Sequence, residues 1–323
     1  MVMKLKSTFF YYTVFILLCF LFISNGEITL KKNSGNTSPY IVVLGIAQDG
    51  GYPQAGCNKD CCKRFYSGKA KKHYVSCIGL VDQVTHSRWL FDATPDFIMQ
   101  LHNLDSIAPS TGMLFNGIFL THAHIGHYTG LMNLGKEAMN TQHIPVYAMP
   151  RMRQFLKDNG PWSQLVSIGN IDLKPLKEDS AIQLTPGISV TSFRVPHRDE
   201  FSEAVGYRIA TGNKHIIFIP DIDKWNKWKQ DIVKVIHDND LVFIDGTFLK
   251  DGELSNATMS KVPHPFIEES MSLFSSLSLK DKEKVYFIHL NHTNPAIYGD
   301  SNAIKEIESN HFHLAQEGMT FSL

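Results

Sequence analysis

The 323-residue sequence has no net charge, because 31 lysine and arginine residues are matched by 31 aspartate and glutamate residues. A balanced charge provides no electrostatic attraction to nucleic acid or to an anionic membrane surface. Hydrophobic residues make up 43% and charged residues 19% of the chain, as is ordinary for a globular protein. We therefore expect a small-molecule substrate and no nucleic-acid partner.

The sequence also lacks a glycine-, serine- or proline-rich stretch that would divide it after residue 38. Its length allows a substantial core. We therefore predict one domain over residues 39–323, preceded by a polar linker over residues 27–38.

The N-terminal apolar run, from Phe9 to Ile23, is short for a membrane span, which needs about 20 apolar residues. Two lysines precede the run, and the small residues Ser24–Gly26 follow it. This pattern predicts a signal peptide over residues 1–26, cleaved before Glu27, and hence a periplasmic or secreted protein. An uncleaved membrane anchor over residues 9–23 is the alternative.

Short apolar runs typical of strands alternate with helix-compatible segments along the rest of the chain. Strands are predicted over residues 39–45, 76–82, 88–94, 117–121, 144–149, 188–196, 204–210, 214–221, 240–246 and 284–290. Helices are predicted over residues 95–104, 152–159, 223–238 and 265–277. This order indicates a layered α/β architecture rather than a repeat protein or a helical bundle.

Fifteen histidines are available, and three of them fall in the segment HAHIGH. Alternate residues of an extended segment point the same way, so His122 and His124 can bind one ion. The chain then turns at Gly126, and His127 faces a neighbouring position. The segment predicts a metal site, although no acidic residue stands within it.

Polar residues also end several of the predicted strands. They are Asp92, His122, His197, Asp221, Asp245 and His289. Side chains at the ends of neighbouring strands converge on one edge of a sheet, where open α/β folds build their sites. These residues are therefore expected to meet in space.

At this point the sequence resembles the metallo-β-lactamase-fold hydrolases, whose signature is HxHxDH followed by a distant histidine, an aspartate and a final histidine. The segments AQDGGYPQAGC, DATPDFIMQL, VPHRDEFSEAVGY, DGTFL and HLNHTNP further resemble the pyrroloquinoline-quinone biosynthesis B proteins, a subgroup of that superfamily. The resemblance implies a four-layer αβ/βα sandwich with two metal ions at its upper edge.

The resemblance also implies a ligand set for each ion. Site 1 would use His122, His124 and His197, and site 2 would use His127 and His289, with Asp221 bridging. The family pattern places a further ligand, an aspartate, where this chain has Gly126. We therefore expect a weakened site 2, which could hold zinc weakly or iron(II), with manganese also possible.

A metal site of this kind indicates a hydrolase, because a bound metal lowers the pKa of water from about 16 toward 7. The resulting hydroxide would attack an ester, lactone, amide or phosphodiester. Asp221 would orient this nucleophile, and His264 is the candidate that protonates the leaving atom, by analogy with phosphodiesterases of the superfamily. A plain surface histidine is the alternative for His264.

Two other functions remain open. The resemblance to the B proteins suggests an iron-dependent oxygenase or biosynthetic enzyme, whereas the altered motif is also compatible with a catalytically inactive metal-binding scaffold.

Asp92 is expected behind the metal-binding histidines, as an acceptor for an outer ring N–H, or else as a strand-end cap. Asp96 and Asp245 could fill the same role.

The segment GCNKDCC places Cys57, Cys61 and Cys62 close together. In an exported protein these residues can form one disulfide and leave a free thiol, or they can bind a structural zinc that lacks a fourth ligand. Relatives that include phosphodiesterases of phosphonate metabolism carry such a zinc on three cysteines and one histidine, which corresponds here to His292. The spacing C-x₃-C-C differs from that of the relatives, and free thiols are the third possibility.

Overall fold

The structure is a computed structural model and describes residues 38–212, 214–259 and 261–323. The predicted signal peptide and nearly all of the predicted linker lie outside these ranges. Within them, no helix combines the length and the apolar character that crossing a bilayer requires.

Two seven-stranded mixed sheets form the framework. The first sheet has the order β14-β1-β2-β3-β4-β5-β6, and the second has the order β13-β12-β11-β10-β9-β8-β7. Their strands are β1 (Tyr40–Gly45), β2 (Cys77–Asp82), β3 (Ser87–Phe91), β4 (Gly117–Phe119), β5 (Ile144–Ala148), β6 (Ile171–Pro175), β7 (Ala181–Thr185), β8 (Ile188–Arg194), β9 (Val205–Thr211), β10 (Lys214–Ile219), β11 (Leu241–Asp245), β12 (Val285–Ile288), β13 (His313–Leu314) and β14 (Thr320–Ser322).

Helices lie between the strands along the chain. They are α1 (Asp60–Tyr66), α2 (Phe97–Ile107), α3 (Ile125–Tyr128), α4 (Pro150–Asp158), α5 (Trp162–Ser167), α6 (Ile232–His237), α7 (Asn256–Met259), α8 (Ile267–Leu273), α9 (Leu279–Lys282) and α10 (Ser301–Ser309). Short 3₁₀ turns cover Thr129–Leu134, Trp225–Lys227 and Phe274–Ser276.

Both faces of the first sheet are buried, and alternate residues of β1 show how. Ile41 and Val43 belong to the core between the two sheets, whereas Val42 and Leu44 belong to a second core beneath the helices. A strand that is buried on both faces is continuously apolar, which explains the uninterrupted run IVVL. This arrangement confirms the predicted α/β sandwich.

The ten strands predicted from apolar runs are all present, with ends that shift by a few residues. The prediction of a single helix over residues 223–238 is wrong. Trp228 is extended and its indole N–H donates to the carbonyl of Arg194 at 2.9 Å, which breaks the segment. Asp231 then caps α6 by accepting from Val233 N, so a new helix begins there.

Candidate metal centre

The candidate site lies where several strands of the two sheets end. Thr121 to His127 follow β4, Asp221 follows β10, and His289 follows β12. β4 pairs in parallel with β3, and β10, β11 and β12 run parallel in the other sheet, so their carboxyl ends lie on the same side of each sheet. The expected convergence of the strand-end residues is therefore what the structure shows.

A first set of donor atoms comes from His122, His124, His197 and Asp221. The Nδ1 atom of His124 lies 2.9 Å from Nε2 of His122 and 3.2 Å from Nε2 of His197. The Oδ2 atom of Asp221 lies 3.4 Å from Nε2 of His122 and 3.0 Å from Nε2 of His197. All four donor atoms face one small volume.

A second set adjoins the first and shares Asp221 with it. It consists of Asp49, His127, His289 and Asp221, whose donor atoms lie within 4.8 Å of one another. The Oδ1 atom of Asp49 lies 3.0 Å from Nε2 of His127 and 3.6 Å from Nε2 of His289. Two neighbouring donor sets that share one carboxylate are thus present at the sheet edge.

Each histidine is oriented by a partner on its other ring nitrogen. His127 Nδ1 lies 2.6 Å from Asp92 Oδ2, and His289 Nδ1 lies 2.9 Å from the hydroxyl of Thr247. His197 Nδ1 lies 3.2 Å from Asp223 Oδ1. Such contacts fix the ring orientation and make the inward nitrogen the one that is free to bind an ion.

The charged partners shift the proton equilibria of the histidines in the ion-free protein. Burial lowers the pKa of His197, but Asp221 and Asp223 outweigh this effect and raise it to about 10. Burial likewise lowers the pKa of His127, but Asp92 and Asp49 outweigh this effect and hold it well above its usual value. Burial and the neighbouring His127 lower the pKa of His122.

Four buried polar atoms in this region make no hydrogen bond: Asp49 Oδ1, Asp221 Oδ1, His127 Nε2 and His289 Nε2. Unsatisfied buried groups of this kind are costly, so they indicate a missing partner. Donor atoms around a tetrahedral zinc ion lie about 3.3–3.6 Å apart, given zinc–ligand bonds of about 2.0–2.2 Å. The separations of 3.0 and 3.6 Å between Asp49 Oδ1 and the two imidazole nitrogens are close to these values, so the donor atoms suit a metal ion.

The comparison with protein families agrees with this geometry. Residues 87–290, well over half of the chain, match the model of the beta-lactamase superfamily domain. The chain belongs to the beta-lactamase superfamily.

Its relatives within the superfamily include coenzyme PQQ synthesis protein B of Methylorubrum extorquens strain PA1, which is 24% identical over 306 residues and is matched along its full length by 88% of this chain. The structure of Zn(2+)-bound PqqB from Methylobacterium extorquens superposes with a TM-score of 0.74, over 88% of this chain and 100% of the other, at 24% identity. A diphosphatase from the PhnP family follows with a TM-score of 0.61, over 88% and 97% of the chains, at 21% identity. The predicted resemblance to the B proteins is confirmed.

His264 also lies beside the two donor sets. Its Nδ1 atom lies 2.8 Å from Asp245 Oδ2 and 3.3 Å from Asp221 Oδ1, and its side chain is only 13% exposed. It is therefore not a plain surface histidine. Burial lowers the pKa of His264, but Asp245 and Asp221 raise it above its usual value.

The cysteine cluster lies apart from the histidines. Cys57, Cys61, Cys62 and His292 place their donor atoms within 4.8 Å of one another, and the sulfurs of Cys57 and Cys61 are 3.8 Å apart and not bonded. A tetrahedral zinc with Zn–S bonds of about 2.3 Å separates two sulfurs by about 3.8 Å. Burial raises the pKa of Cys62 to about 12 and lowers that of His292.

Sequence reasoning missed Asp49, Asp223 and Thr247 and misjudged one other residue. Asp96 does not contact the histidines, because its carboxylate accepts from Val75 N at 3.0 Å and Lys72 Nζ at 2.7 Å. Asp245 contacts His264 and the backbone of Ile222. For Asp49, the available signal was a single carboxylate in the glycine-rich loop that directly follows β1.

Proposed function

We propose that this protein is a metal-dependent hydrolase that acts on an ester, lactone, amide or phosphodiester. The observation that supports this most directly is the pair of adjoining donor sets that share Asp221. Such a pair suits two metal ions that stabilise the attacking and the leaving oxygen together. When bound, the metal would make water nucleophilic at neutral pH and polarise the bond under attack.

The residues would then divide the work as follows. His122, His124 and His197 would hold one ion and His127 and His289 the other, while Asp221 would lie between them and orient the attacking water. Asp92, Asp223 and Thr247 would keep the ring nitrogens turned inward, as their distances to His127, His197 and His289 indicate.

His264 would protonate the leaving atom. Asp245 occupies its Nδ1, which leaves Nε2 as the nitrogen that can reach a substrate. Asp245 and Asp221 raise its pKa above the ordinary value, which favours the protonated ring that a general acid requires. This position at the edge of the donor sets supports the assignment.

A series of substrates with different leaving groups tests the proposal. His264→Asn should reduce kcat about 10²–10⁴-fold for esters with strongly basic leaving groups and much less for p-nitrophenyl esters, whose leaving group needs no proton. Bound metal, measured by elemental analysis, should be unchanged. His143→Asn, which removes an exposed histidine that also contacts a carboxylate, is the matched control. An equal loss of kcat for all leaving groups in His264→Asn would exclude the general-acid role. If the metal-loaded parent turned over no substrate of any class, the hydrolase function would be excluded.

A second candidate is an iron-dependent oxygenase or biosynthetic enzyme. It is favoured by the match of 88% of this chain to the full length of coenzyme PQQ synthesis protein B. Metal identity separates the two: near one equivalent of iron in the histidine centre, with zinc only at the cysteines, would favour this candidate.

Two further parts of the proposal concern the remainder of the chain. We assign Cys57, Cys61, Cys62 and His292 to a structural zinc, supported by the spacing of their donor atoms. Export directed by residues 1–26 is proposed from the sequence pattern alone.

A further inference from the structure

The space beside Gly126 explains why that position carries no side chain. A Cβ atom there would lie 2.3 Å from Oδ1 and 2.6 Å from Cα of Asp49. Because one of these contacts is with backbone, a side chain at 126 could not be accommodated by a rotamer change. The backbone of Gly126 does not have a positive φ, so a glycine is required there by the lack of room for a Cβ atom and not by the backbone conformation.

Asp49 brings its carboxylate to the place that this Cβ would occupy. Its Oδ1 atom is 3.0 Å from Nε2 of His127 and 3.6 Å from Nε2 of His289. The outer nitrogens of both rings are already engaged by Asp92 and Thr247. The inward nitrogens and the Asp49 oxygen are buried without hydrogen bonds, and their separations of 3.0 and 3.6 Å place them around one common point.

The loop that carries Asp49 is fixed by backbone hydrogen bonds. Gln48 N donates to Leu290 O at 2.9 Å, immediately beside His289, and Gly51 N donates to Gln48 O at 2.7 Å. Gly51 has a φ of 66°, which closes the turn at a residue that tolerates it. Asp49 is thus held against the second donor set by the same strand end that presents His289.

We propose that Asp49 is the carboxylate ligand of the second metal ion, taking over the role that an aspartate at position 126 would have. The two arrangements exclude each other, since a side chain at 126 and the loop at 49 require the same volume. Site 2 then has His127, His289 and Asp49 of its own and Asp221 in common with site 1. The expectation that Gly126 leaves site 2 with a single shared carboxylate overlooked this residue.

The proposal rests on the metal centre of the proposed function and not on the reaction, so counting ions tests it whether or not a substrate is found. Asp49→Ala should lose one ion per chain, or bind it about 100-fold or more weakly, because a direct ligand is removed. The probe is cobalt(II), added to chelator-treated protein, with elemental analysis and visible absorption as readouts. The sulfur-to-cobalt absorption reports the cysteine cluster separately and should not change.

Three further variants make the test decisive. Asp96→Ala removes a carboxylate of similar exposure, 13% against 15%, that anchors the neighbouring backbone, and it should retain every ion. Gly126→Asp should lower the Tm because of the clash with Asp49. Should Asp49→Ala fail to fold, Asp49→Asn keeps the shape of the side chain and should show the same weakening.

Two results would overturn the proposal. One is an Asp49→Ala protein that binds all ions with the affinity of the parent. The other is an Asp96→Ala protein that loses the same ion as Asp49→Ala.

Discussion

At the scale of single residues, Thr247 links three groups of the site. Its hydroxyl donates to Asp245 Oδ1 at 2.7 Å and lies 2.9 Å from Nδ1 of His289 and 3.3 Å from Nδ1 of His264. The hydroxyl therefore sets the orientation of a proposed ligand without itself facing the ion.

Thr247→Val should weaken metal binding at the second donor set by about 10–100-fold, because the His289 ring loses the partner that orients it. Competition with a chromophoric chelator measures this affinity. Thr247→Ser keeps the hydroxyl and should behave like the parent. Equal affinities for Thr247→Val and the parent would mean that β12 alone orients His289.

At the scale of elements, the turn after HAHIGH is held tightly against the end of β3. Gly130 N donates to Ala93 O, and Ala93 N donates to His127 O, both at 2.9 Å. A Cβ on Gly130 would lie 2.2 Å from the carbonyl oxygen of Thr94. The position of His127 thus depends on two backbone segments that approach more closely than any side chain allows.

Gly130→Ala should destabilise the protein by about 1–3 kcal/mol and lower its Tm by several degrees, because the two segments must separate. Differential scanning calorimetry measures this change. Gly187→Ala is the matched control, since a Cβ there meets nothing within 4 Å and its φ is not positive. A parent-like Tm for Gly130→Ala would show that the turn adjusts freely.

Two residues at strand ends adopt the left-handed region that non-glycine residues rarely occupy. They are Asp92, with a φ of 71°, and His289, with a φ of 65°. Such conformations cost free energy and are found preferentially at functional sites. Here the turn at each strand end brings a side chain into the site, where Asp92 contacts His127 and His289 lies near Asp49.

At the scale of the whole molecule, metal binding and proton binding compete for the same nitrogens. His197 is protonated in the ion-free protein at neutral pH, because its pKa is about 10, whereas a ligand must be neutral. Metal uptake should therefore release protons, and affinity should fall as the pH decreases.

We expect at least a tenfold loss of cobalt(II) affinity for each pH unit between pH 8.5 and 6, one factor of about ten for each proton displaced. Calorimetric titrations in buffers of different ionisation enthalpy count the protons directly. Affinity that is constant over this range would show that His197 is neutral before the ion binds.

Much of the fold was predictable because strands buried on both faces are continuous apolar runs. β10 (Lys214–Ile219) and β11 (Leu241–Asp245) are examples, and their ends marked Asp221 and Asp245 in the sequence. Edge strands were less visible: β7 alternates exposed and half-buried residues and carries little apolar signal. The segment that contains α6 read as one long helix because its helical periodicity does not show that Trp228 contacts β8.

The sequence by itself determined the sandwich fold, the superfamily and the histidines that follow the strands, because burial and ligand chemistry are written into residue type and local spacing. Only the tertiary structure decided which carboxylates meet those histidines. Asp49 and Gly126 are separated by a large part of the chain, and neither has a periodicity that relates it to the other. Their relation comes from the packing of two loops into one volume, which becomes defined when both strands take their places in the sheet.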